Sequence, residues 1–169
     1  MRQPPGAIQL FGMNPPLRSS ADREALIEGL LDGTIDAVAT DHAPHTAEEK
    51  SRGLEHSAMG IVGLETSFPV LHTSLVRTGR MSLERLLEAM SASPRRIFGL
   101  QELFVPGAPA DITVIDIEHG FNIDSSTFLS KGRATPFEGM EVYGRIIYTF
   151  KDGDIVYNDN KQTKLYETT

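Results

Sequence analysis

The chain has 169 residues, 40% of them hydrophobic, a formal net charge of −7 and no cysteine. That length suits one domain, or one domain with a small appendage. The acidic balance argues against a nucleic-acid coat, which needs a basic footprint to displace counterions, and the lack of cysteine excludes disulfides and thiolate metal sites. The sequence contains no apolar run long enough for a membrane helix and no low-complexity tract. "MRQPPGAIQL" has no apolar signal-peptide core, so a cytoplasmic protein is the default expectation.

In chain order, the first 18 residues are proline-rich and read as a loop that ends in "GMNPPLR". With Ser19 or Ser20 as cap, "ADREALIEGLLD" reads as a helix with Leu26 and Leu30 on one face, Ile27 and Leu31 beside them, and Gly33 as its stop. "TIDAVAT" has four apolar residues in seven with no clean alternation, the pattern of a short strand buried on both faces. A polar loop through residue 60 follows. Leu64, Phe68, Leu71 and Leu75 then recur at helical spacing, and Pro69, tolerated only in a first turn, starts that helix near Thr66.

Behind Ser82 as cap, Leu83, Leu86, Leu87 and Met90 form an i, i+3, i+4, i+7 stripe. "SPRRIFGL" reads as a short third helix, with Ser93 as cap, Pro94 at the first position and Gly99 as stop. The composition then shifts to β-branched and aromatic runs: "ADITVIDI", "VYGRIIYTF" and "DIVYND". The last two are joined by "KDGD", whose Asp152-Gly153 suits a two-residue hairpin turn. A boundary falls near residue 101, with helix–strand–helix before it and mostly β after it.

Residues 38–45, "VATDHAPH", carry the chemistry. A buried parallel strand ending in polar residues between helices is the arrangement of an α/β barrel, where active-site groups sit at the C-terminal ends of strands. Asp41 is the first residue beyond the apolar run. Its carboxylate can ligate a divalent metal and shuttle a proton to or from metal-bound water. The same spacing admits a second reading, with Asp41 capping a turn and His42 or His45 bonded to backbone; a short D-H-x-x-H does not choose between them. His72, on a helix, reads as a partly buried structural residue, and His56 and His119 are assigned no role.

"MNPPLR" at 13–18, "ATDHAPH" at 39–45 and "MGIVGLET" at 59–66 form an ordered set with "SPRRIFGL", "PGAPADITVID" and "TPFEGMEVYGRI". The set resembles the C-terminal part of a dihydroorotase, of the bacterial type related to allantoinases and hydantoinases in the amidohydrolase superfamily. His45 and "NPPLR" favour dihydroorotate over hydantoins or allantoin. The resemblance implies an α/β fold: the C-terminal portion of a metal-dependent-hydrolase (β/α)8 TIM barrel over residues 1–100, then strands of a small β-sandwich over 101–169. It implies zinc, with Asp41 as a ligand and as general acid/base. Asn14 would hydrogen-bond the pyrimidine ring, His45 would help hold the substrate carboxylate, and main-chain groups at Met59 and Gly60 would contact the ring. Metal-bound hydroxide would attack the ring amide carbonyl while Asp41 carries the proton to the leaving nitrogen, interconverting N-carbamoyl-L-aspartate and (S)-dihydroorotate in pyrimidine synthesis. Two local departures from the family pattern are Gly12, where lysine is frequent, and "LQELFVPGAPAD", which lacks the usual glycine ahead of its proline.

The larger departure is what the sequence does not contain. Members of the resembled family begin with H-x-H-x-R, which supplies two metal ligands and a substrate arginine, and take further histidines and an acidic or carboxylated lysine ligand from middle strands. An eight-stranded barrel needs roughly 250 residues, whereas one convincing barrel strand is legible here and a weaker one near Ile8. A zinc site with an open position takes about three protein ligands, and only Asp41 qualifies. The sequence therefore reads as an enzyme fragment, expected to be inactive and a poor zinc binder alone. Through open strand edges it is expected to dimerise, aggregate or associate with the missing portion. The expected partners are a small-molecule substrate and, as assemblies, a homo-oligomer or a complex with other pyrimidine-pathway enzymes; neither nucleic acid nor membrane is expected. Two other readings stay open: a non-catalytic dihydroorotase-like scaffold subunit, and a related hydantoinase or allantoinase.

Overall fold

The computed structural model describes residues 12–53, 55–101 and 104–159. The weaker strand candidate near Ile8 lies outside them. Helix α1 spans Ser20–Asp32. Ser19 caps it reciprocally with Asp22, the Ser19 Oγ accepting the Asp22 N–H and the Asp22 carboxylate accepting the Ser19 N–H at 3.0 Å. Gly33, at φ 85°, closes it as expected. Its apolar face is only half covered: Ile27 and Leu30 join the core, while Leu26 is 59% exposed and Leu31 is exposed too.

Residues 34–40 do not form the expected strand, and they are not buried on both faces. The Val38 N–H donates to the Ala89 carbonyl at 3.0 Å, and the nearest strand-like pairing is a single parallel bridge between His42 and Ile61. A parallel strand takes its ladder from flanking strands, and the described residues provide none along 34–40. The expected polar loop that follows contains a helical turn, α2, at Ala47–Lys50. Its capping box pairs Thr46 with Glu49.

Helix α3, Ser67–Leu71, starts behind Thr66 with Pro69 in its first turn and continues as a wider π turn over His72–Val76. Helix α4, Leu83–Leu87, is capped by the Ser82 hydroxyl, which accepts the Arg85 N–H at 3.1 Å. It runs through a second π turn, Glu88–Ala92, into α5, Ser93–Ile97. Ser93 is therefore not the cap expected from "SPRRIFGL". Its backbone is helical, at φ −63° and ψ −48°, and its hydroxyl accepts from Arg96. Pro94 has no N–H to donate and its ring crowds the carbonyl four residues back; the widened turn lets the helix pass without breaking. Gly99, at φ 63°, lies just past the end.

Strands β1 (Ile112–Asn122), β2 (Glu141–Lys151) and β3 (Asp154–Asn158) form an antiparallel sheet in the order β1-β2-β3. Asp152 and Gly153 have φ 53° and 89°, as a two-residue primed turn demands. The Asp111 carboxylate pins this turn, accepting the Asp152 N–H and the Lys151 ammonium, each at 2.9 Å. The sheet packs on α3. Gly144 of β2, at φ 110°, lies so close that a Cβ there would stand 2.6 Å from Phe68 Cε1. His72 is 3% exposed, stacks on Phe68, and donates from Nδ1 to the Tyr143 carbonyl at 3.1 Å, which is the structural role expected of it. Ile27, Phe68, Leu75, Met81 and Leu86 form the buried cluster, with Ile115 and Ile117 of β1 packed against it. Among the described residues no helix is long and apolar enough to cross a membrane.

Candidate functional site

The segment 40–45 is held against 58–63 by main-chain contacts that leave no room for side chains. The Ala43 N–H donates to the Ile61 carbonyl at 2.9 Å, beside the His42–Ile61 bridge. Gly60 has φ 127°, and a Cβ there would sit 2.4 Å from the Ala43 Cβ, so this position accepts only glycine. His42 turns its ring onto the next turn of chain: Nδ1 accepts the Gly63 and Leu64 N–H groups at 3.1 and 3.3 Å. That leaves the proton of the neutral ring on Nε2.

His45 Nε2 lies 3.0 Å from the Met59 carbonyl and therefore donates to it, while Nδ1 is 3.8 Å from Glu49 Oε2. The Glu49 carboxyl is held below its usual range, first by the Thr46 N–H and then by the Thr46 hydroxyl. Beside His45 opens a cavity of about 410 Å³, also lined by Lys50, Lys131, Arg133, Thr135 and Glu138. Its far wall is a loop from the β portion. Gly132 presses on the site so closely that a Cβ would stand 2.8 Å from Pro44 Cα. Nearby, the Ala134 carbonyl accepts the Val62 N–H at 3.0 Å, and Glu65 accepts the Leu129 and Ser130 N–H groups at 2.8 and 3.0 Å.

Asp41 has φ 45°, in the left-handed region, and is exposed. Aspartate tolerates this conformation better than most residues, yet it is uncommon outside turns and functional sites. No hydrogen bond or ion pair among the described residues engages its carboxylate, so it does not cap a turn. Asn14 is exposed in the loop before α1. Gly12, two residues earlier, accepts the Gly60 N–H at 2.8 Å, which ties the Asn14 segment to Met59–Gly60. The structure thus brings His45, Met59 and Gly60 into contact, links the Asn14 segment to them, and leaves the Asp41 carboxylate open.

Among the described residues no group of three or more His, Cys, Asp or Glu side chains is placed to hold a metal ion. One open carboxylate is one ligand, and a catalytic zinc site takes about three from protein. These residues by themselves do not fit a zinc site.

The sequence reading missed Lys50, Gly132 and Glu65. Lys50 is 1% exposed; among the described residues its ammonium bonds only main-chain carbonyls, and burial pushes its pKa below the ordinary value. The T-x-x-E box at Thr46–Glu49 was the local signal for the helix that carries Lys50. Gly132 had no local signal, because its constraint comes from a segment nearly ninety positions away.

A profile described as the amidohydrolase family matches residues 13–156. The chain belongs to the amidohydrolase family. The family implies a metal cofactor, generally zinc. Dihydroorotases are among this amidohydrolase's curated relatives. That of Lactiplantibacillus plantarum is 51% identical over 155 residues, covering 90% of this chain and 36% of the relative. That of Bacillus caldolyticus is 52% identical over 158 residues, 93% of this chain and 37% of the relative. That of Geobacillus thermodenitrificans is 54% identical over 152 residues, 89% and 36%. The chain thus spans just over a third of the length of these relatives. Among solved structures, the L-hydantoinase (dihydropyrimidinase) from Arthrobacter aurescens superposes with a TM-score of 0.80 at 32% identity, over 91% of this chain and 36% of that one. The D-hydantoinase (dihydropyrimidinase) from Thermus sp. gives 0.82 at 29% identity, over 89% and 34%.

Proposed function

We propose that this amidohydrolase chain forms the substrate-facing part of a dihydroorotase, the zinc-dependent enzyme that interconverts N-carbamoyl-L-aspartate and (S)-dihydroorotate in de novo pyrimidine biosynthesis. The observation that carries the reading is 51–54% identity to dihydroorotases over 89–93% of the chain. The hydantoinases that share its fold, from Thermus sp. and Arthrobacter aurescens, are only 29% and 32% identical.

In this reading Asp41 is the proton carrier. Its carboxylate, free of hydrogen bonds among the described residues, takes the proton of the attacking water and returns it to the ring nitrogen as the amide C–N bond breaks. Asp41 is also the one metal ligand among the described residues; the others belong to the rest of the enzyme. His45 exchanges its Met59 carbonyl for the substrate carboxylate, a charge-assisted and stronger partner. Asn14 offers a donor and an acceptor to the ring. The Met59 and Gly60 carbonyls each keep a second lone pair after bonding His45 and Lys50, and so remain able to receive the ring N–H.

Residues 1–100 then belong to the (β/α)8 barrel and 101–169 to a small β-sandwich. The exposed Leu26 and Leu31 and the half-buried 34–40 are the faces that neighbouring barrel elements cover. The edges of β1 and β3, unpaired among the described residues, pair with the remaining portion or with a second copy in the cytoplasm, and a complex with other pyrimidine-pathway enzymes is compatible with this arrangement.

The test joins the chain to the remaining amidohydrolase portion, in one polypeptide or by mixing, adds zinc, and compares ring opening of dihydroorotate, a hydantoin and allantoin. Dihydroorotate is expected to dominate. Preference for hydantoin or allantoin would replace the substrate. Tight association with no turnover of any of the three would make the chain a scaffold.

A further inference from the structure

The geometry points to Lys50 as a positioning residue that clamps the substrate-side loops into one surface. What that surface binds rests on the dihydroorotase reading; the clamp itself does not. Lys50 closes α2, five residues after His45, and among the described residues it is the largest fully buried side chain, 1% exposed. A buried lysine ordinarily has a carboxylate beside it. Here the ammonium donates to three main-chain carbonyls instead: Gly60 at 2.8 Å, Ala58 at 3.0 Å and Gly12 at 3.3 Å. Three donors meet three acceptors, so the group is saturated.

Those carbonyls are not scattered. Ala58 and Gly60 flank Met59, whose own carbonyl takes His45 Nε2. Gly12 stands two residues before Asn14 and also accepts the Gly60 N–H. The Thr46–Glu49 capping box fixes the turn between His45 and Lys50. One ammonium therefore sets the spacing between the Asn14 segment, the Met59–Gly60 segment and the His45 ring. Among the described residues no other side chain donates to these three carbonyls. An apolar residue at position 50 removes that donor from three partly buried carbonyls, which then part or admit water.

The experiment is nuclear magnetic resonance on the isotope-labelled chain, comparing wild type with Lys50→Met. Two signals report the clamp: the His45 ring nitrogens, which show a single Nε2–H tautomer while Nε2 donates to Met59, and hydrogen exchange at the Gly60 amide. The His72 ring, bonded in the helix–sheet core, reports whether the fold survives. The expected result is an intact His72 signal, a mixed His45 tautomer population, and Gly60 exchange faster by about tenfold or more, the effect of losing one or two hydrogen bonds to a charged group. A His45 tautomer and Gly60 exchange rate unchanged in the variant overturn the clamp. If Lys50→Met does not fold, the wild-type Lys50 Nζ protons decide: slowly exchanging Nζ protons near neutral pH support three held donors, and their absence overturns the clamp. A joined enzyme that fails to open dihydroorotate strikes the function and leaves these signals standing. A normal His45 signature in Lys50→Met strikes the clamp and leaves the function standing.

Discussion

The contact between α3 and β2 is finished among the described residues, and the segment 34–45 is not. At α3–β2, Phe68 stacks on His72, His72 bonds the Tyr143 carbonyl, Thr73 receives the Tyr143 N–H at 2.8 Å, and Gly144 lets the strand approach. Among the described residues the backbone of 34–40 has no ladder, and beyond it Asp41 holds an uncommon conformation with no described partner for its carboxylate. The first region stabilises the chain by itself. The second holds its shape through close glycine contacts, a buried lysine and histidine bonds to backbone, and leaves the Asp41 carboxylate exposed. Substitutions in the first region should therefore act on stability, and those in the second on binding and turnover.

The largest expected effect is at Asp41. In the joined enzyme, Asp41→Asn should lower the rate on the order of 10² to 10⁴-fold through loss of the proton carrier alone. The melting of the isolated chain should be unchanged, because among the described residues no partner is lost. A destabilised chain with near-normal turnover would reverse the comparison.

Gly144→Ala should be the largest stability effect, about 2–4 kcal/mol in a urea melt. It combines a left-handed φ of 110° with a Cβ 2.6 Å from a ring that His72 holds in place. Gly132→Ala should be milder, about 1–3 kcal/mol, and should also raise KM more than it lowers kcat, since Pro44 and His45 must move to admit the methyl group.

Acid should act on the finished part of the chain. Glu24 is held below its ordinary 4.5 by Arg80, Glu88 by Arg96 and then Arg85, and Asp111 below 3.8 by the Asp152 N–H and then Lys151. A carboxyl lowered in the folded state contributes stability that is fully present above its unfolded value and is lost as pH falls through its folded one. The urea midpoint should stay flat from neutrality to about pH 5 and fall below about pH 4. The smallest effect belongs to Glu118→Gln, which breaks an exposed pair with Arg77 and should leave the midpoint within error.

Much of this was legible in the sequence because local rules decided it. Ser19 and Gly33 bracket α1, Ser82 caps α4, Pro69 sits in a first turn, and Asp152-Gly153 makes the hairpin. The misses have two causes: contacts distant along the chain, and a helix that runs on where a cap was expected. The run 34–40 reads as a strand, but a strand exists only with neighbours. Ser93 reads as a cap, but the preceding helix continues through a π turn around Pro94. Lys50 reads as one more polar residue in "HTAEEK", and only the fold reveals the three carbonyls that it bonds. Asp41, Asn14, His45, Met59 and Gly60 were legible as motif members, while the contacts among their segments were not.

The central claim is that this chain carries the substrate side of the site and a single metal ligand, with the remaining ligands on the rest of the enzyme. Zinc content after dialysis against a chelator, measured on the isolated chain together with dihydroorotate ring opening, tests it most directly. The account predicts no retained zinc and no turnover by the chain alone, with both appearing once the remaining portion is joined. One equivalent of zinc retained by the isolated chain, with measurable ring opening, would contradict it.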